Sequence, residues 1–188
     1  MIKRLYIAAA ITLWLAISPA AGAEFSAKMV VMGPHGTFSS SIFVKGDWQR
    51  HEQAGQIVIF NTKTGKTYTL MEDEKAYLEM GDDQEGDDDR PKDMGIGQVL
   101  RDDTGETERL PSETLWGYTC HRYRHIPSEE EFGRSDMWYS PDLEAAIKVV
   151  SDTPLGKITM EYREIVEGPQ DPEFFSVPEG YKRIDLDF

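Results

Sequence analysis

Several groups of residues have the types that chemistry needs, and their spacing decides what each can do. Gly65-Lys66-Thr67 has the ending of a phosphate-binding loop. Such a loop needs a glycine where Phe60 stands and a following helix whose N-terminus faces the phosphate. Strand-like residues follow instead, so the triplet reads as a hairpin turn. His121 and His125 could chelate a metal on a helix. On a strand they share one face but lie roughly 13 Å apart, too far for one ion. The run Asp82-Asp83-Gln84-Glu85-Gly86-Asp87-Asp88-Asp89 lacks the fixed oxygen spacing of a calcium loop and reads as a solvated loop. No His-Glu-x-x-His, Cys-x-x-Cys or Gly-x-Ser-x-Gly pattern is present. Nothing singles out an acid–base pair, so the chain is expected to be no enzyme, with no catalytic residue, no metal and no cofactor.

The single cysteine, Cys120, cannot close a bridge within a monomer. It reads as a small buried hydrophobe. The alternative is a reactive thiol, which needs a positive neighbour; Arg122 and Arg124 would share its face on a strand. The basic stretch His121 to His125 is short and reads as a solvated strand paired with nearby acids.

The elements that carry these residues begin with an export signal. Lys3 and Arg4 precede an apolar run from Leu5 to Ile17, and Ala21-Gly22-Ala23 fits a cleavage site. The run is shorter than the about 20 residues of a membrane span. Residues 1–23 are therefore expected to be a signal peptide. Residues 24–188 are expected to be one domain, exported to the periplasm or beyond, with no transmembrane segment after cleavage. The full chain has 188 residues, with 20 Lys and Arg against 34 Asp and Glu, a net charge of −14. Losing Lys3 and Arg4 leaves 18 against 34, a net of −16. That charge repels nucleic acid and anionic head groups at long range, so no nucleic-acid partner is expected.

Period-two alternation with frequent turns predicts strands. They run over Phe25–Met32, Thr37–Lys45, Trp48–Glu52, Gln56–Asn61, Lys66–Met71 and Ala76–Met80. An acidic loop is expected at about 81–112, with a short helix over Lys92–Leu100 and loop again over Asp102–Pro111. Strands resume over Tyr118–Ile126, Gly133–Tyr139, Ala146–Ser151 and Lys157–Ile165. Pro141 and Asp142 suit the first turn of a very short helix through Ala145. Many sequential strands with short turns predict a mainly β fold, a meander curling into a barrel or half-barrel. Both faces of several strands carry apolar groups, so alternation does not say which face is inward.

Five segments occur in a telling order: Phe43-Val44-Lys45-Gly46-Asp47-Trp48-Gln49-Arg50, Met71 to Met80 with Lys75-Ala76-Tyr77, Gly117-Tyr118-Thr119-Cys120, Trp138-Tyr139-Ser140-Pro141-Asp142-Leu143, and Phe175-Ser176-Val177-Pro178-Glu179-Gly180-Tyr181. Together they resemble an exported bacterial family of unknown function with a LolA-like fold, in the superfamily of the periplasmic lipoprotein carrier LolA. The resemblance implies a curved antiparallel sheet, an open half-barrel with few short helices. In the carriers the concave face holds acyl chains. Gly117 would suit a tight approach before a strand, and Val177 to Tyr181 a closing turn.

Met-rich, flexible apolar surfaces suit promiscuous apolar ligands. The favoured expectation is non-enzymatic binding of a lipid, acyl chain or other hydrophobic ligand on the concave face. Met29, Phe43, Ile59, Met71 and Met160 are the candidate ligand-binding residues. The alternative is a module with a filled core that meets an envelope protein through an exposed aromatic patch.

Overall fold

β-branched and aromatic residues in alternation favour extended chain, and Gly-containing pairs between them reverse its direction. A computed structural model describes residues 22–81, 105–128 and 133–184. The first group of strands is β1 (Glu24–Gly33), β2 (Gly36–Lys45), β3 (Trp48–Gln53), β4 (Gln56–Asn61), β5 (Thr67–Met71) and β6 (Ala76–Met80). The second is β7 (Glu106–Leu115), β8 (Tyr118–Ile126), β9 (Ser135–Ser140), β10 (Ala145–Thr153) and β11 (Gly156–Glu167). A 3₁₀ helix, Pro172–Phe175, leads to β12 (Lys182–Ile184). All twelve strands form one sheet in the order β12-β6-β5-β4-β3-β2-β1-β11-β10-β9-β8-β7. The sheet does not close, since β12 and β7 are its two edges. It is a mainly β, open sheet, as expected.

Two meanders, β1–β6 and β7–β11, are joined by β1, which pairs with both β2 and β11. Turn chemistry sets the hairpins. At Trp116-Gly117, φ is 50° and 93°, the left-handed pair that a tight two-residue hairpin turn needs. Nothing lies within 4 Å of a Cβ built on Gly117. That glycine therefore serves the turn, and the expected close approach is corrected. Gly65-Lys66-Thr67 does turn β4 into β5. Asn61 Oδ1 accepts from the backbone N–H of Lys63 (3.0 Å) and Thr64 (2.9 Å).

Three further expectations are revised. The loop expected over Asp102–Pro111 is overturned from Glu106 onward, where β7 begins. Its polar, Pro-containing sequence suits an edge strand, which has a bulge between Leu110 and Glu113. The short helix after Pro141 is a turn instead: the Glu144 amide donates to Pro141 O at 3.4 Å, and the amide of buried Leu143 donates to Ser140 Oγ at 3.3 Å. The pairing of β12 with β6 is parallel, an addition to an otherwise antiparallel ladder. The Lys92–Leu100 helix, the Asp82–Asp89 run and the signal segment through Ala21 lie outside the described residues.

Residues directly opposite each other across antiparallel strands point to the same face. The register therefore sorts side chains into two faces. On one, Ile57, Ile59 and Leu70 cluster under Phe175 of the 3₁₀ helix, with Phe43, Trp48, Tyr68, Tyr77, Val177 and Tyr181 around them. We call it the tail face. Asp171 caps the helix by accepting from the Glu173 amide at 3.0 Å. Arg50 Nη1 donates to Phe174 O at 3.0 Å, and the Phe174 ring meets Phe43 edge-on at 5.0 Å. The other face of the central strands carries Phe25, Ala27, Ile42, Val44 and Tyr162. These join Cys120, Trp138, Leu143 and Ile147 in the larger buried cluster.

Two outcomes test this packing. Phe175→Ala empties the centre of the tail-face cluster and should cost about 3 kcal/mol, read by urea denaturation; a loss under about 1 kcal/mol would show that the tail does not hold the fold. Cys120 is fully buried. A thiol reagent should therefore label it only after unfolding, and rapid labelling of the native protein would contradict that burial.

Candidate functional site

The face opposite the tail is built from positions two residues apart on successive strands. Met29 of β1 stands opposite Ser40 of β2, and Ile42 stands opposite His51 of β3. His51 in turn faces Val58, while Gln49 faces Phe60 and Gln53 faces Gln56. Met29, Ser40, His51, Gln53, Gln56, Val58 and Phe60 line a pocket of about 220 Å³. We call this the pocket face.

Two buried polar atoms in that lining have no hydrogen-bond partner among the described residues. Ser40 is 7% exposed, and its Oγ is buried with no hydrogen bond. His51 Nε2 is likewise buried and unpaired. The His51 ring meets Phe60 edge-on at 5.2 Å. Burial pushes the imidazole down to about 4, so it is neutral at pH 7. Native proteins rarely leave buried polar atoms unpaired, because each costs desolvation without a compensating bond. An apolar lining with a few convergent polar groups has the chemistry of a small-molecule site.

The five sequence-derived candidates divide between the faces. Met29 lines the pocket. Met71 is opposite Gln56, and Met160 is opposite Val31 on the neighbouring strand, so both share the pocket face. Phe43 and Ile59 point the other way: Ile59 is fully buried under the tail, and Phe43 meets the Phe174 ring edge-on. Phe43 also borders a groove of about 390 Å³ on the tail face, with Ser26, Lys28, Ser39, Ser41, Glu52 and Glu164. That groove is polar and its chemistry differs from the pocket's. No motif in the sequence singles out Ser40 or His51. The available signal was parity. Ser40 shares its face with Ile42 and Val44, so a polar residue stands in an apolar row.

The remaining candidates are structural. Arg124 donates to Asp136 through Nε (2.7 Å) and Nη2 (3.0 Å), and Arg122 reaches Asp136 and Glu113, both at 2.7 Å. The Arg124 and Arg122 guanidiniums hold the Asp136 carboxyl down at about 2. Glu113 also accepts from Trp138 Nε1 at 2.7 Å, and Arg122 lies over the Trp138 ring at 4.8 Å. The basic stretch is thus paired with acids, as expected. Both arginines are engaged on Cys120's face, and burial pushes that thiol's pKa up. His121 and His125 lie on one face of β8, opposite Tyr139 and Ser135. Among the described residues no group of three His, Cys, Asp or Glu is placed to hold a metal. No described helix is long and apolar enough to cross a membrane.

Comparison with known proteins places the chain in a family. Residues 26–147 match the domain of unknown function DUF4412, and the chain belongs to that family. No curated protein matches it. Among solved structures, an uncharacterized conserved protein from Thermus thermophilus superposes with a TM-score of 0.57 at 7% identity, covering 87% of this chain and 90% of that one. The Pseudomonas aeruginosa MucA/MucB complex matches with a TM-score of 0.53 at 13% identity, over 80% of this chain and 54% of that one. MucB solved in complex with MucA(peri) matches with a TM-score of 0.55 at 11% identity, over 87% of this chain and 57% of that one. The chain thus spans little more than half the length of those two matched chains. At these identities the likeness is one of fold.

His51 predicts a pH dependence. Its folded value of about 4 lies below the ordinary 6.5, so below pH 6.5 the unfolded chain binds more protons. Stability should fall as pH drops from about 6.5 to 4, by roughly 3 kcal/mol in all. Denaturant titrations of the wild type and His51→Phe at pH 7, 6 and 5 should show a slope that the variant largely loses; equal slopes would show that His51 is not buried neutral.

Proposed function

We propose that this member of the DUF4412 family is an exported, non-enzymatic binding protein that takes a lipid or other apolar ligand on the pocket face of its sheet. The observation that carries the reading is the pocket itself. Met29, Val58 and Phe60 supply apolar walls, and Ser40 and His51 offer unpaired polar atoms inside it. Met71 and Met160 extend the same face with flexible, polarizable side chains. The open sheet leaves room for a ligand that a closed, filled barrel would exclude. Export rests on the N-terminal pattern of Lys3, Arg4, the apolar run and Ala21-Gly22-Ala23. The periplasm is the compartment that this reading assigns.

A second reading, docking of an envelope protein, has its own support. Phe38, Leu155 and Ile158 are exposed, Leu155 by 77%. Phe38 pairs with Val31 near the end of the β1–β2 hairpin, and Leu155 sits in the β10–β11 turn. MucB, similar in fold over 57% of its own chain, was solved in complex with MucA(peri), and that likeness supports the reading.

Native mass spectrometry with solvent extraction separates the two. The protein is purified from the exported fraction without detergent. A stoichiometric apolar molecule, or a mass gain on adding lipids, is the expected result. A clean apo mass with no gain would sink the ligand reading and favour the protein-docking one. A pull-down from envelope extract that weakens on Phe38→Ser and Leu155→Ser would then be the expected result.

A further inference from the structure

We infer that Ser40 and His51 recognise one uncharged hydrogen-bonding group, an ester carbonyl or a hydroxyl, at the polar end of an apolar ligand. The pocket therefore takes neutral amphiphiles in preference to ionised ones. The inference rests on the apolar-ligand reading and deepens it by naming the ligand class.

Position comes first. Ser40 and Ile42 are two apart on β2, and His51 stands opposite Ile42. Ser40 and His51 are thus diagonal neighbours on one face, close enough for a single small group to meet both. The Ser40 hydroxyl can donate and accept, and a neutral imidazole Nε2 can do either according to its tautomer. Both atoms are buried and unpaired, so a ligand group that bonds them removes a cost the empty protein carries.

Charge then decides the class. Among the described residues no Lys or Arg lines the pocket, and the ionisable group in its lining, His51, is neutral at pH 7. Gln53 and Gln56, at the end of the β3–β4 hairpin, are uncharged too. A carboxylate or phosphate placed there would be a desolvated charge without a counter-ion, which costs far more than a hydrogen-bonded neutral group. The chain's net charge of −14 opposes an anion further. Lys28, adjacent to Met29 in β1, projects from the tail face instead, so it cannot serve as the counter-ion.

The test uses displacement of the apolar fluorophore N-phenyl-1-naphthylamine at pH 8. The competitors are 1-monooleoylglycerol and oleate, which share one acyl chain and differ in charge at the head. Monooleoylglycerol is expected to displace the probe at a concentration at least about tenfold lower than oleate. Ser40→Ala and His51→Phe should each weaken monooleoylglycerol by about three- to tenfold, the worth of one hydrogen bond. Ser40→Ala should leave the melting temperature of the ligand-free protein unchanged or raised, because it deletes an unpaired hydroxyl. A serine with only a structural role would lower it. Equal displacement by oleate, or unaltered displacement from both variants, would overturn the inference while leaving apolar binding in place. Failure of the probe and of both lipids to bind would remove the apolar-ligand reading together with it.

Discussion

Every face assignment in this molecule depends on β1 pairing with both of its neighbours. That strand joins β2, next to it in the chain, and β11, whose residues come more than a hundred positions later. Without the β1–β11 ladder the chain would be two separate meanders. With it, one alternation parity runs unbroken from β6 through β1 to Met160 and Tyr162 of β11. The ladder absorbs one irregularity, between Ser26 and Lys28 on the β1 side, where β11 advances an extra residue and Glu164 takes a φ of 51°. The loop-closure entropy of so distant a pairing must be offset by burial. Fully buried Phe25 and Ile42 lie on the pocket face of β1 and β2, beside Tyr162.

An open sheet has two faces to cover and two edges to protect, and this chain manages each differently. The C-terminal segment covers the tail face and is tied down at its start. Glu24 accepts from the Gln170 amide at 2.8 Å, and Lys45 Nζ donates to Gln170 O at 2.9 Å. The segment then supplies β12, whose three residues pair with the β6 edge. At the other edge β7 carries Glu106, Glu108, Arg109 and Glu113, and its bulge near Pro111 interrupts the ladder. Charge, proline and irregularity are the devices that stop an exposed edge from pairing with another chain.

The pocket face is treated differently again. Where the tail face is filled by Phe175, Ile59 and Leu70, the pocket face leaves two buried atoms, Ser40 Oγ and His51 Nε2, without a partner among the described residues. A sequence optimised for stability alone would place apolar residues at both positions. Unpaired polar atoms there cost free energy that apolar side chains would not.

The strands were legible in the sequence because a half-buried strand writes its own period, and Gly-containing pairs mark its turns. Gln56 to Asn61 is one such strand, and Gly65 and Gly117 stand in two such turns. The burial of Cys120 among alternating aromatics was also readable. The strand at Glu106–Leu115 was hidden because an edge strand needs little apolar content, so its composition resembles a loop. What only the tertiary structure decided was which face each residue joins. Met29, Phe43, Ile59, Met71 and Met160 are equally apolar in the sequence. The register sends three to the pocket face, and it sends Phe43 and Ile59 beneath the tail. Period-two alternation fixes relative orientation within a strand. It cannot supply the sign that relates one strand to the next, because cross-strand pairing sets that sign.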